Sequence, residues 1–212
     1  MLGRMSVRAS PNRGRGGTRP KSPIREIGIA DSSPASNVSF TVQAPCGYLT
    51  NVTLNTVGCW SGTITPQPNC QWLVSLHNSC PTTAMGAQTV GSICYTAVST
   101  QSAFVPFTIS NLGVTNQDAS VPSPAYSFGT RTIIIANESL LEAWLAGNKQ
   151  RMYTLYGKAD TNYVVKYATN VNTSSPWIPG WTNTVPASLF YNQSVLGTLS
   201  NAPVLFLRAN EK

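Results

Sequence analysis

The sequence predicts an all-β protein, a sandwich or barrel, preceded by a disordered basic arm. Three observations carry that prediction. First, β-branched and aromatic residues recur in ten short runs, with Gly- and Pro-bearing connections between them. Second, the first run alternates from Asn37 to Val42, putting Val38, Phe40 and Val42 on one face and Ser39 and Thr41 on the other. Third, charge is confined: Arg4, Arg8, Arg13, Arg15, Arg19, Lys21 and Arg25 all precede the first acid, Glu26. Of 14 Lys and Arg these are seven, so the remainder holds seven bases against seven acids, and the net charge of +7 belongs to the first 25 residues.

Residues 1–31 form the first segment. Arg13-Gly14-Arg15-Gly16-Gly17 and Arg19-Pro20-Lys21-Ser22-Pro23 offer too little apolar surface to offset the entropy of ordering, so disorder until a partner binds is expected. Ser33-Pro34 is the expected hinge into a body over 32–212. After the alternating run, strands are predicted over 48–57, 71–77, 92–98, 103–109 and 131–136, and then over 152–157, 163–169, 194–199 and 203–209. Thr65-Pro66-Gln67-Pro68-Asn69 and Val121-Pro122-Ser123-Pro124 read as connections. One short helix is predicted between strands. Ser139-Leu140-Leu141-Glu142 has the form of a capping box, Leu140, Leu141, Trp144 and Leu145 form an apolar stripe, and Gly147 provides a stop. Trp177 and Trp181 fall in an expected loop.

The body is poor in charge. From Ser32 to Thr130 the one charged side chain is Asp118, and charged residues make up 10% of the chain against about 25% in an ordinary soluble domain. A free monomer uses surface charge to stay apart from its neighbours. In a chain that is 42% hydrophobic, a body that omits it is expected to cover much of its surface with other protein.

Catalysis is poorly supported. His77, the one histidine, lies in the alternation Trp72, Val74, Leu76 and reads as a structural hydrogen-bonding residue. Gly58-Cys59-Trp60-Ser61-Gly62 lacks the spacing of a nucleophile elbow. Cys46, Cys59, Cys70, Cys80 and Cys94 are odd in number and loosely spaced. The N-terminus has no apolar core of an export signal, so the cysteines are expected as reduced, mostly buried thiols. A zinc site sketched from Cys70, His77 and Cys80 matches no common ligand spacing. Calcium between subunits, through Asp118 or Asp160, is conceivable in chemistry but unsupported by any carboxylate cluster, so no cofactor is expected. The sequons at Asn37, Asn51, Asn137, Asn172 and Asn192 carry no meaning without export. No membrane span and no small-molecule substrate are expected.

The seven basic residues are the expected nucleic-acid contacts. Six are arginines, which fork onto phosphate oxygens and stack on unpaired bases.

Arm, hinge and Ser/Thr/Asn-rich body together resemble the coat proteins of small icosahedral positive-strand RNA viruses, in particular those of the sobemovirus-like, tombusvirus-like and ourmiavirus-like groups. The resemblance implies a single eight-stranded jelly roll. It also implies self-assembly into a closed shell, packaging of single-stranded RNA by the arm from Arg4 to Arg25, and residence in the virion after assembly in host cytoplasm. Two other readings stay open. One is a non-assembling viral RNA-binding protein, a silencing suppressor or movement-type protein. The other is a cellular β-sandwich binding module, lectin-like, in which the sequons and cysteines matter.

Overall fold

The computed structural model describes residues 4–7, 13–15, 21–28, 35–80, 86–98, 101–116, 130–148, 150–170, 176–195, 199 and 202–212. Two compact units divide the chain, one of residues 1–99 with 104–134, the other of residues 100–103 with 135–212. Both are all-β, and no α-helix occurs among the described residues. The predicted class, an all-β sandwich of jelly-roll type, is the class observed.

The first unit is built on β1 (Arg4–Val7), β2 (Arg13–Arg15), β3 (Lys21–Gly28), β4 (Ala35–Gln43), β5 (Leu49–Thr56), β6 (Trp60–Gln67), β7 (Gln71–Asn78), β8 (Gly86–Ala97), β9 (Ala103–Asn116) and β10 (Thr130–Ile135). They form a four-stranded sheet, β1-β3-β8-β5, and a six-stranded sheet, β2-β10-β9-β4-β7-β6. In β4 the expected alternation is realised: Val38, Phe40 and Val42 are buried while Asn37 and Ser39 are exposed. Val74 and Leu76 of β7 join them, and Val90, Ile93 and Tyr95 of β8 are buried in the opposite sheet. The Tyr95 and Phe107 rings meet between the sheets at 5.4 Å. Burying a side chain such as Phe40 contributes about 1.5–3 kcal/mol.

The second unit holds β11 (Leu140–Leu145), β12 (Arg151–Tyr156), β13 (Thr161–Ala168), β14 (Ile178–Val185), β15 (Phe190–Ser194) and β16 (Phe206–Glu211), in sheets β11-β12-β15 and β14-β13-β16. Tyr153 and Leu155 from one sheet and Tyr163, Val165 and Val185 from the other close its core.

Four sequence expectations are corrected. The first is the helix: residues 140–145 are instead β11, paired antiparallel with β12. The two members of the supposed capping box have other partners. Ser139 Oγ donates to the Ala209 carbonyl at 3.2 Å, and Glu142 accepts from the Tyr156 hydroxyl at 3.0 Å. The Gly147 stop lies in the hairpin turn, which the Ala146 amide closes onto the Gln150 carbonyl at 2.9 Å. Cross-strand partners outweigh local helix signals here.

The second concerns two segments read as connection and loop, which are β6 and β14. Pro66 is tolerated because β6 is an edge strand. The third is the arm. Within the basic segment β1, β2 and β3 are paired strands, and β3 finds its backbone partners along β8.

The fourth is the cysteines. Cys46 bonds Cys70 and Cys59 bonds Cys80, leaving Cys94 as the buried free thiol. The linked residues sit at strand ends that only the folded topology brings together, so sequence spacing does not show them. Cys59 precedes β6 and Cys70 follows it, so a disulfide staples each end of this edge strand. The Ser79 amide and hydroxyl reinforce one staple by donating to the Cys59 carbonyl at 3.0 and 2.9 Å. The Ala44 amide reinforces the other by donating to Cys70 at 3.3 Å.

Candidate functional site

The stapled sheet presents an outer face built from four adjacent strands, β9, β4, β7 and β6. Their registers put side chains in rows. Thr115, Asn37, His77 and Ser61 form one row, and Gly113, Ser39, Ser75 and Thr63 the next. Ser110, Thr41, Leu73 and Thr65 form a third, and Thr108, Gln43, Gln71 and Gln67 a fourth. None of these residues is charged, and all but Gly113 and Leu73 carry a hydrogen-bonding side chain.

The first two rows, Ser61 apart, line a shallow depression of about 550 Å³. Its upper row is wired. Asn37 Nδ2 donates to Thr115 Oγ1 at 3.1 Å, which turns Asn37 Oδ1 toward His77. That oxygen can only accept, so His77 Nδ1, at 2.9 Å, is the donor of this bond. In the floor the hydroxyls of Ser39, Ser75 and Thr63 have no protein partner among the described residues. Gly113 keeps the floor open, since a Cβ there would meet Ser39 Oγ at 3.0 Å. Thr41 departs from the alternation. The register irregularity opposite Ser39 and Thr41 places an extra residue in β9, and Thr41 is buried on the outer face, its hydroxyl accepting from Asn111 Nδ2 at 3.5 Å.

Such a surface can exchange many neutral hydrogen bonds with a partner without desolvating ions. Asn37 orients His77, but among the described residues no serine or cysteine bonds to the imidazole. The zinc sketch is excluded, because Cys70 and Cys80 belong to different disulfides. No group of three or more potential metal ligands occurs among the described residues. Asp118 lies outside the described residues, and Asp160 sits in the turn before β13 with φ of 56°.

Five of the seven basic residues lie in described strands. Arg4 lies in β1 opposite Ile27, Arg13 and Arg15 in β2, and Lys21 and Arg25 in β3 opposite Cys94 and Thr89. Arg8 and Arg19 fall outside the described residues. Sequence reasoning did single out His77 as a hydrogen-bonding residue. It missed the face around it, because alternation shows that Ser39 points outward but not which strands lie beside it.

No sequence family and no curated protein matches the chain. Solved structures do match. The sixth cohesin of scaffoldin B from Acetivibrio cellulolyticus, solved in complex with a Cel5 dockerin mutant, gives a TM-score of 0.53. It is 14% identical and covers 63% of this chain and 99% of its own. CaCohA2 of Clostridium acetobutylicum gives 0.51 at 13% identity, covering 63% of this chain and 90% of its own. The cohesin module of a Clostridium perfringens family 33 glycoside hydrolase gives 0.51 at 7% identity, covering 63% and 98%. At these identities the likeness is one of fold.

These neighbours overturn the viral reading. They are bacterial cohesin modules rather than shell proteins, so coat protein, closed shell, RNA packaging and virion residence are all withdrawn. The inference failed at a definite step. A charge-poor surface signals contact with other protein, and nothing in composition distinguishes contact with copies from contact with a different partner.

Proposed function

We propose that the chain is a non-catalytic docking module that binds a folded protein partner through the outer face of β9, β4, β7 and β6. The observation that carries this is the four-row, charge-free face with its unpartnered Ser39, Ser75 and Thr63 hydroxyls, its outer strand β6 stapled at both ends by disulfides. The partner class is supported by the complexes in which the neighbours were solved. The scaffoldin B cohesin was solved with a Cel5 dockerin, and CaCohA2 with CaDoc0917. A dockerin or a domain of similar kind is therefore the proposed partner.

This is the cellular binding-module alternative, with the lectin-like version disfavoured. A sugar platform wants an exposed aromatic ring, and the large apolar residue among these four rows is Leu73. Two disulfides accord with an oxidising compartment. The basic segment over 1–31, with Arg4 to Arg25, enters the same proposal as a cationic flank that would favour a partner with an acidic border.

Calorimetric titration against a panel of dockerin domains that includes the Cel5 dockerin tests the proposal. Saturable one-to-one binding of at least one member is expected. Absence of binding across the panel, with correctly folded protein, would sink it.

A further inference from the structure

The second unit has an interaction surface of its own. β11 is the outer strand of its sheet, and Trp144 and Leu145 at its far end are 41% and 66% exposed. The parity of its backbone bonds follows from the turn. Ala146 donates to Gln150, so Trp144, Glu142 and Leu140 are the residues whose amides and carbonyls bond β12. The amides and carbonyls of Leu141, Ala143 and Leu145 therefore face away from the sheet.

At the Leu145 end a cavity of about 240 Å³ lies beside this edge, lined by Trp144, Leu145, Met152, Leu205, Leu207 and the side chain of Arg151. Arg151 is the one charged residue of its lining, and it has no ion-pair partner among the described residues. Val204, next to the cavity wall in sequence, is 49% exposed.

We propose that the edge of β11 accepts an extended peptide from a partner as an added strand, with an apolar side chain in the cavity and an acidic side chain on Arg151. Main-chain bonds along an exposed edge supply affinity, and pockets for alternate side chains supply selection. Charge complementarity sets the occupant. A partly buried cation in an apolar cavity calls for an anion, and β11 itself cannot offer one, since its acid, Glu142, already accepts from Tyr156. A second copy presenting the same edge would leave Arg151 unmatched.

The test uses the whole chain and a fluorescein-labelled, end-blocked peptide alternating Val and Thr with one Asp, alongside its Asn counterpart. Fluorescence anisotropy is expected to show saturable binding of the Asp peptide and about tenfold weaker binding of the Asn peptide. Arg151→Gln should erase that difference, and Leu145→Asp should abolish binding. Hydrogen exchange of the Leu141, Ala143 and Leu145 amides should slow on binding. Should Leu145→Asp fail to fold, the peptide pair with wild type and Arg151→Gln still decides. No binding of the Asp peptide, equal binding of the two peptides, or protection confined to other amides would each overturn the proposal. So would a concentration-dependent dimer lost in Leu145→Asp, which would give the edge to a second copy.

Discussion

His77 donates its Nδ1 proton to Asn37 Oδ1 across 2.9 Å, tying β7 to β4 on the outer face of the six-stranded sheet. The bond holds because Asn37 is itself held, its amide nitrogen reaching Thr115 at 3.1 Å and Ser36 at 3.3 Å. Three strands are thereby linked through one asparagine, and the row above the depression is fixed before any partner arrives. Pre-organisation of this kind lowers the ordering cost of binding.

Asn37→Ala should release that row. The exposed position limits the stability loss to about 1 kcal/mol. Nitrogen NMR of the imidazole should show the Nδ1-protonated form in the wild type and a mixture of tautomers in the variant.

The disulfides give a sharp thiol count. Denatured, unreduced protein should label at one cysteine, Cys94, and reduced protein at all five. Each bridge closes a loop of similar length, with separations of 24 and 21 residues, so replacing either pair by serine should cost about 3 kcal/mol in chemical denaturation.

Tyr153 makes stability sensitive to alkali. Its buried phenol is pushed up from 10.0 to about 12, chiefly by desolvation, against the hydrogen bond from Asn183 and with a smaller push from Tyr191. The unfolded phenol ionises near its ordinary value while the folded one stays neutral. Its contribution is therefore complete below pH 10 and is lost as pH rises toward 12. Denaturation midpoints should fall across that window. Tyr153→Phe should flatten the fall, at a cost of about 1–3 kcal/mol at neutral pH for orphaning the buried Asn183 amide that donates to Tyr153 at 2.7 Å.

Gly62 of β6, paired with Leu76 of β7, has no room for a side chain. A Cβ there would lie 2.4 Å from the Ser75 carbonyl oxygen and 2.8 Å from Leu76 Cδ2. Gly62→Ala should therefore destabilise the chain by about 1–3 kcal/mol, read from thermal unfolding.

What the sequence revealed was period. Val38, Phe40 and Val42 announced β4 and its inward face, and β7, β10, β12 and β13 lie where β-branched and aromatic runs placed them. What it concealed depended on neighbours distant in sequence. Residues 140–145 carry a helical stripe and a capping signal, yet the hairpin partner over 151–156 decides their state. Pro66 looked like a breaker because edge position is a property of the sheet, not of the segment. The proposed docking face was hidden for the same reason. Ser39, Ser75 and Thr63 lie in one row only because antiparallel registers align strands 12 to 36 residues apart. The scarcity of charge suggested a surface for other protein, and the face proposed for that role is visible only in the fold.

The central claim is tested most directly by placing a charge in the middle of that face. Ser75 is exposed, paired to Ser39 and Thr63, and remote from the core, so Ser75→Arg should leave the melting temperature nearly unchanged. Affinity for the docking partner found by titration should fall by about a hundredfold, as a buried, unmatched cation costs roughly 3 kcal/mol. Unchanged affinity in a folded Ser75→Arg protein would contradict the account and place the docking surface elsewhere.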